Sequence, residues 1–466
     1  MSPKVLYRRV CSWARGSANR QIFLAALTVG GGTAVVKGMA MAKELVVAYH
    51  FGTADALDAF LIAFMVPSFA VNVTAGAVEA SFMPTYIEVL EREGKAEARR
   101  LLGSVIVGVA AVLAAACVLL GVVGPFLIPL VGSSFGPEKL ALTEAFYYLL
   151  IPIVLLKGVA IVWARVLNAG DRYALAAVAP ALLPAALIVF LVTAGDSWGG
   201  YVLVVGTLVG YVGEVGLLAA GLVRGDLWVW PAWGGWTDAL GQTWDQFLPM
   251  IVGNLLVSSA PLIDKSMAAI LGSGKVAALN YGVKVPTALL GLGSQALSTA
   301  VLPYFSRMTA AGDWAGVRHT LHTYVWVSLG VTIPVTAGLV YVSDPLVALL
   351  FERGAFTQDD TQLVGLVQAL YLLQVPAYVL SILAVRLISS LKSNRILMVG
   401  SALNLAVNVG LNYLFIQWLG LAGIALSTAV VYVVSFLFLY GMVRRVLLQK
   451  QARLREDDDP NEPIRS

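Results

Sequence analysis

Residues 102–131 read LGSVIVGVAAVLAAACVLLGVVGPFLIPLV, a run without one charged side chain. A hydrocarbon core of about 30 Å is crossed by about 20 helical residues, so this run spans a bilayer with residues to spare. It is too long and too continuously apolar for the alternating strands of about ten residues that build an outer-membrane barrel. Backbone groups in lipid must satisfy one another, which leaves an α-helix.

The same reading carried outward gives twelve candidate spans, near 22–48, 58–82, 102–131, 145–168, 173–194, 200–223, 246–271, 277–303, 321–343, 362–388, 396–417 and 421–443. Composition agrees, since 59% of the 466 residues are apolar and 12% are charged. A soluble chain carries about a quarter charged residues, so an ordinary water-soluble domain is excluded. The fold class expected is an all-α polytopic membrane protein with about twelve helices. Cys11 and Cys117 offer no disulfide framework, and nothing in the charge pattern points to nucleic acid.

Lys and Arg concentrate in the N-terminal segment, in the even-numbered connections and in the tail, whereas the odd-numbered connections hold only Lys139, Lys275 and Arg353. The positive-inside rule then places both termini in the cytoplasm. The organisation expected is a basic segment over 1–21, a first lobe over 22–223, a Trp-rich linker over 224–245, a second lobe over 246–443 and a disordered tail over 444–466. The start does not read as a cleaved signal peptide, because its apolar run is too long and contains Lys37, Lys43 and Glu44. Trp228, Trp230, Trp233, Trp236 and Trp244 in the linker read as headgroup-level anchors.

Two lobes follow from an internal repeat. Pro67 and Pro84 recur at the same spacing as Pro286 and Pro303, and 77–86 matches 296–305 in character. Leu149-Leu150-Ile151-Pro152 and Leu373-Gln374-Val375-Pro376 match more loosely. Six spans in each half make a parallel repeat, a form common among secondary transporters whose substrate site lies near the midplane.

Charges inside spans are costly, at roughly 2.5–3.5 kcal/mol each, and should face a partner or water. Lys37, Lys43, Lys157, Lys265, Lys284 and Arg386 lie within spans, against Glu44, Glu79, Glu214 and Asp264. Lys37, Lys157 and Lys284 have no acid within a turn in sequence and are the stronger cavity candidates; Arg386, near a span end, reads as snorkelling. Lys37 and Glu44 share one face of the first span, after Gly30-Gly31-Gly32. Asn404, Asn408 and Asn412 form one stripe on the eleventh span, and Asn280 and Gln295 lie in the eighth. Interhelical hydrogen bonding is the plain reading of that stripe. His319 and His322 make a poor metal site, so no metal or cofactor is expected. No P-loop, nucleophile elbow or His-Glu-x-x-His is present, which speaks against an ATP-driven pump and assigns no catalytic residue.

Val36-Lys37-Gly38, Ala42-Lys43-Glu44, Phe51-Gly52-Thr53, Asp58-Ala59-Phe60 and Val66-Pro67 resemble the start of the MurJ/MviN lipid II flippase family, in the wider MOP flippase and exporter superfamily. Ile263-Asp264-Lys265, Leu271-Gly272-Ser273-Gly274, Ala278-Leu279-Asn280-Tyr281 and Leu302-Pro303 follow that pattern in the other half. The resemblance implies two lobes around a cationic central cavity that carry a polyprenyl-diphosphate sugar by alternating access. Essential arginines of the family's first span correspond here to Lys37 and Lys43, which keep the charge without the bidentate fork. Two further family arginines fall at Val71 and Tyr281, with Lys284 nearby, and two extra C-terminal spans usual in the family have no counterpart among these twelve.

The function expected is a flippase for an undecaprenyl-diphosphate-linked saccharide, either lipid II or a polysaccharide repeat unit, with membrane lipids and cell-envelope synthesis proteins as partners. Lys37, Lys43, Lys157, Lys265 and Lys284 would bind the diphosphate, Glu44, Asp58 or Asp264 would couple an ion, and Asn280, Gln295, Asn404 and Asn408 would line the path. The alternatives are a MATE-like antiporter, a membrane enzyme acting on lipid-linked sugars, or a non-transporting scaffold. An antiporter for cations would need acids in excess, and the enzyme would need a longer external loop than 132–144 or 344–361.

Overall fold

The computed structural model describes residues 18–391, 393 and 395–457. The basic segment before Ala18, Lys392 and the tail beyond Asp457 lie outside the described residues, as do the side chains of Glu79 and Gln295. The helices in chain order are α1 Ala18–Phe51, α2 Asp55–Arg92, α3 Lys95–Val131, α4 Pro137–Leu150, α5 Ile153–Ala169, α6 Tyr173–Val178, α7 Leu182–Trp198 and α8 Tyr201–Arg224. They continue as α9 Asp238–Ile270, α10 Lys275–Gly282, α11 Lys284–Ala310, α12 Trp314–Tyr341, α13 Ser343–Phe351, α14 Gln358–Leu372, α15 Gln374–Ser390, α16 Arg395–Leu419 and α17 Leu421–Asp457. No strand occurs among the described residues.

Ten helical stretches among the described residues are long and apolar enough to cross a membrane. Positions expected for the first and eighth spans are helical as well, in α1 and in α10–α11. Their apolar character is diluted, by Lys37, Lys43 and Glu44 in one and by Thr287, Ser294, Ser298 and Thr299 in the other. The matching proline segments break both halves alike: α4 gives way to α5 at Ile151-Pro152, and α14 gives way to α15 at Leu373. Proline three residues into α15 costs little, because a first-turn N–H has no intrahelical acceptor.

α17 continues helical to Asp457, into the segment expected to be disordered, through Leu, Gln, Arg and Lys residues that favour helix. The described residues divide after Ser258, within α9, into two compact units. The physical reason is burial, since Leu240 and Phe247 of α9 join the core of the first unit.

That core gathers Phe82 and Tyr86 of α2, Leu101, Leu102 and Leu113 of α3, Val154 and Val166 of α5, and Leu218 and Leu222 of α8. In the second unit, Phe305, Leu321, Leu383, Leu387, Leu439 and Val443 bring α11, α12, α15 and α17 together. Lipid is as apolar as leucine, so such helices associate through close packing, and small residues make it possible. A Cβ on Gly210 of α8 would lie 2.6 Å from the Leu183 Cα of α7, and one on Gly206 would lie 2.9 Å from Leu187 Cδ2.

Gly210→Val is therefore expected to lower stability by about 1–3 kcal/mol through overpacking against backbone. Gly216→Val, whose added Cβ meets nothing within 4 Å, should change it little. Thermal unfolding of both variants in detergent checks the contrast.

Candidate functional site

Each unit brings its own charged groups together. In the first, Lys37 is exposed on α1 and takes no hydrogen bond or ion pair among the described residues. Lys43 Nζ lies 2.5 Å from Glu44 Oε1, and Glu44 is only 7% exposed. Glu44 thus meets its chain neighbour Lys43, on a helix where sequence periodicity sets it on the face of Lys37. Lys157, half-buried on α5, donates to Glu214 Oε1 of α8 at 2.8 Å, with its Nζ 5.5 Å from the centroid of the Tyr211 ring. Glu214 Oε2 is buried and, among the described residues, accepts no hydrogen bond.

Asp58 sits in the first turn of α2, fully buried. Lys139 of α4 bridges it at 2.9 Å and Asp55 at 2.6 Å, with its Nζ 4.1 Å from the centroid of the Phe135 ring. This arrangement ties the start of α2 to α4.

The second unit holds a cavity of about 340 Å3 lined by Asp264, Lys265, Asn280, Gln374, Tyr378 and Tyr432, among others. Asp264 is buried on α9, and its Oδ1 accepts from Asn412 Nδ2 at 2.6 Å and from Asn408 Nδ2 at 3.1 Å, both of α16. Ser427 of α17 donates to Asn412 Oδ1 and fixes the orientation of that amide. Asn404, a turn further along the stripe, donates to Ser435 Oγ at 3.0 Å instead. Asn280 and Lys265 are half-buried at the cavity, and Lys284 is half-buried at the first residue of α11.

Chemically the two acids differ. Glu214 is matched by an ammonium, so the Lys157–Glu214 pair carries no net charge. Asp264 is met by neutral amides, which orient it without cancelling it. A carboxylate beside amide, hydroxyl and phenol oxygens offers the hard oxygen donors that a small cation or a proton takes. Glu214 and Ser427 were not assigned these partnerships from sequence, because each partner comes from a different helix.

A family model described as "Lipid II flippase MurJ" matches residues 47–456. A probable lipid II flippase MurJ of Rhizobium meliloti (strain 1021) is 30% identical over 430 residues, covering 89% of this chain and 79% of its own length. Another such protein, from Synechocystis sp., is 25% identical over 452 residues, covering 93% of this chain and 83% of its own. Among solved structures, "Lipid II flippase MurJ, inward closed conformation" matches with a TM-score of 0.77 at 20% identity, covering 94% of both chains. An inward-facing multidrug resistance MATE family transporter of the MOP superfamily matches at 0.74 with 14% identity, covering 89% of this chain and 95% of its own. At these identities the two structures share the fold.

If Asp264 is ionised, the two amide bonds to it are charge-assisted and unequal to the others on the stripe. Asn412→Leu should then cost about 1.5–3 kcal/mol, the loss of a bond to a charged group. Asn404→Leu should cost about 0.6 kcal/mol, the usual value between neutral groups in a membrane. Unfolding free energies in mixed micelles separate these values, and equal losses would mean a neutral Asp264.

Proposed function

We propose, from the premise that the chain belongs to the MurJ lipid II flippase family, that it carries lipid II or a related polyprenyl-diphosphate saccharide across the membrane. The chain is a multi-pass transporter of the inner membrane. Both termini face the cytoplasm in this reading, in keeping with the basic even-numbered connections.

Lys37 is the observation that carries the proposal. It presents an exposed ammonium on an α1 otherwise rich in apolar residues, without an ion pair among the described residues. A diphosphate is the complement such a group lacks, and its polyprenyl tail can stay in lipid. Lys43, Lys157, Lys265 and Lys284 supply further positive charge; Lys43 exchanges a carboxylate for the diphosphate when it binds it, whereas Lys157 keeps its bond to Glu214 and offers its remaining N–H donors. Asn280, Asn404 and Asn408 serve as polar positions along the path.

Alternating access moves the headgroup outward. An inside-negative potential favours that direction by about 2.3 kcal/mol per charge per 100 mV. Asp264 is the group suited to ion coupling, because its donors are neutral and a cavity adjoins it. Glu44 and Asp58, each held by a lysine, are less suited. Proteins that make or use the lipid-linked sugar in cell-envelope synthesis are the proposed partners.

Reconstituted proteoliposomes with a fluorescent polyprenyl-diphosphate glycan test this reading. Outward movement is expected, with Lys37→Ala reducing its rate at least tenfold and Lys37→Arg retaining it through a bidentate contact, each tenfold step being about 1.4 kcal/mol. No movement with any such glycan, or an unchanged rate in Lys37→Ala, would count against it.

A further inference from the structure

Residues 225–237, between α8 and α9, form no helix or strand, yet they are held firmly. Arg100 of α3 donates twice to the Gly234 carbonyl, at 2.8 Å from Nε and 2.6 Å from Nη2. Gly234 N donates to Ser104 Oγ at 3.0 Å, and Arg99 donates to the Asp226 carbonyl at 2.5 Å. Gly103 lets the strap lie this close, since a Cβ there would stand 3.1 Å from the Ala232 carbonyl oxygen. Trp228 packs on Trp163 of α5 with ring centroids 5.4 Å apart.

The level of this strap along the helices is fixed by sequence. In α3 the charged residues end at Arg100 and the uncharged run follows at once, while α2 ends at Arg92 and α8 at Arg224. The strap therefore crosses α3 where hydrocarbon gives way to headgroups. From it Trp230, Trp233 and Trp236 project 75%, 55% and 68% exposed, separated by Pro231, Ala232, Gly234 and Gly235. An indole has an apolar ring and one N–H donor, which suits it to that boundary.

We propose that this strap is an indole anchor seated in the headgroup layer of one bilayer leaflet, locked to α3, and that it docks by partition of the three tryptophans without need of anionic lipid. The charge count supports the last point. Over 91–100 and 224–238, Arg92, Lys95, Arg99, Arg100 and Arg224 are balanced by Glu91, Glu93, Glu97, Asp226 and Asp238. A polybasic surface would be drawn to anionic lipid by each of its cations, and here the two signs cancel. The anchor also sets the depth of α9, because Thr237 Oγ1 accepts from Leu240 N at 3.3 Å in its first turn and Leu240 is fully buried.

The test uses the full chain in nanodiscs of phosphatidylcholine, alone or mixed with phosphatidylglycerol, with acyl chains brominated near the carbonyl end or near the methyl end. Subtracting the emission of a Trp230→Phe/Trp233→Phe/Trp236→Phe variant isolates the three indoles. Expected is stronger quenching by the shallow bromines than by the deep ones, equal in both lipid mixtures. Quenching by aqueous acrylamide and not by bromolipid would overturn the anchor; quenching only with phosphatidylglycerol would overturn its independence of charge. Each single Trp→Phe variant reads the same difference at smaller amplitude, so the test survives misfolding of the triple variant. In Arg100→Ala/Ser104→Ala the shallow preference should be lost, and its persistence would refute the lock.

Discussion

Lys157 and Glu214 lie on different helices of the first unit and meet at 2.8 Å inside a stretch where neither charge is tolerable alone. Lipid supplies no hydrophobic drive to press one apolar helix against another, so packing and polar contacts must fix which faces meet. An ionisable group left without a partner at that depth costs more than most single contacts are worth. The need to match each such group therefore sets rotation and register, here for α5 against α8. Asp264 with Asn408 and Asn412 does the same for α9 against α16, and Lys139 with Asp55 and Asp58 does so for α4 against α2. Small residues then let the helices close, as Gly206 and Gly210 do against α7.

The same constraint separates structural acids from acids available for work. Glu214 spends its charge on an ammonium and holds a joint together. Asp264 is met by two neutral amides, that of Asn412 being oriented in turn by Ser427, and it faces a cavity. A site of the second kind can change its state during a transport cycle without dismantling the helix pairs around it. In the proposed cycle the exposed Lys37 meets the substrate, so recognition and coupling fall to residues of different units.

Much of this was legible from sequence because it is local. The uncharged run of α3, the matched breaks at Pro152 and before Pro376, and the four-residue repeat of Asn404, Asn408 and Asn412 all follow from spacing along one helix. What the stripe aims at was not legible, since Asp264 lies 144 residues from Asn408. Lys157 has no acid within a turn in sequence, and its partner is 57 residues away. Lys43 reaches adjacent Glu44, which shares a helical face with Lys37, because a flexible lysine stem crosses faces that a helical wheel keeps apart. The division of the chain inside α9 likewise depends on where Leu240 and Phe247 are buried, which no composition boundary marks.

A double-mutant cycle on Lys157→Met and Glu214→Leu, read as unfolding free energy in mixed micelles, tests the matching of charges most directly. Each single substitution should cost about 3–5 kcal/mol, because it strands the opposite charge, while the double variant should lie near the wild type. Additive losses in the double variant would contradict the account, since the two groups would then be acting independently of one another.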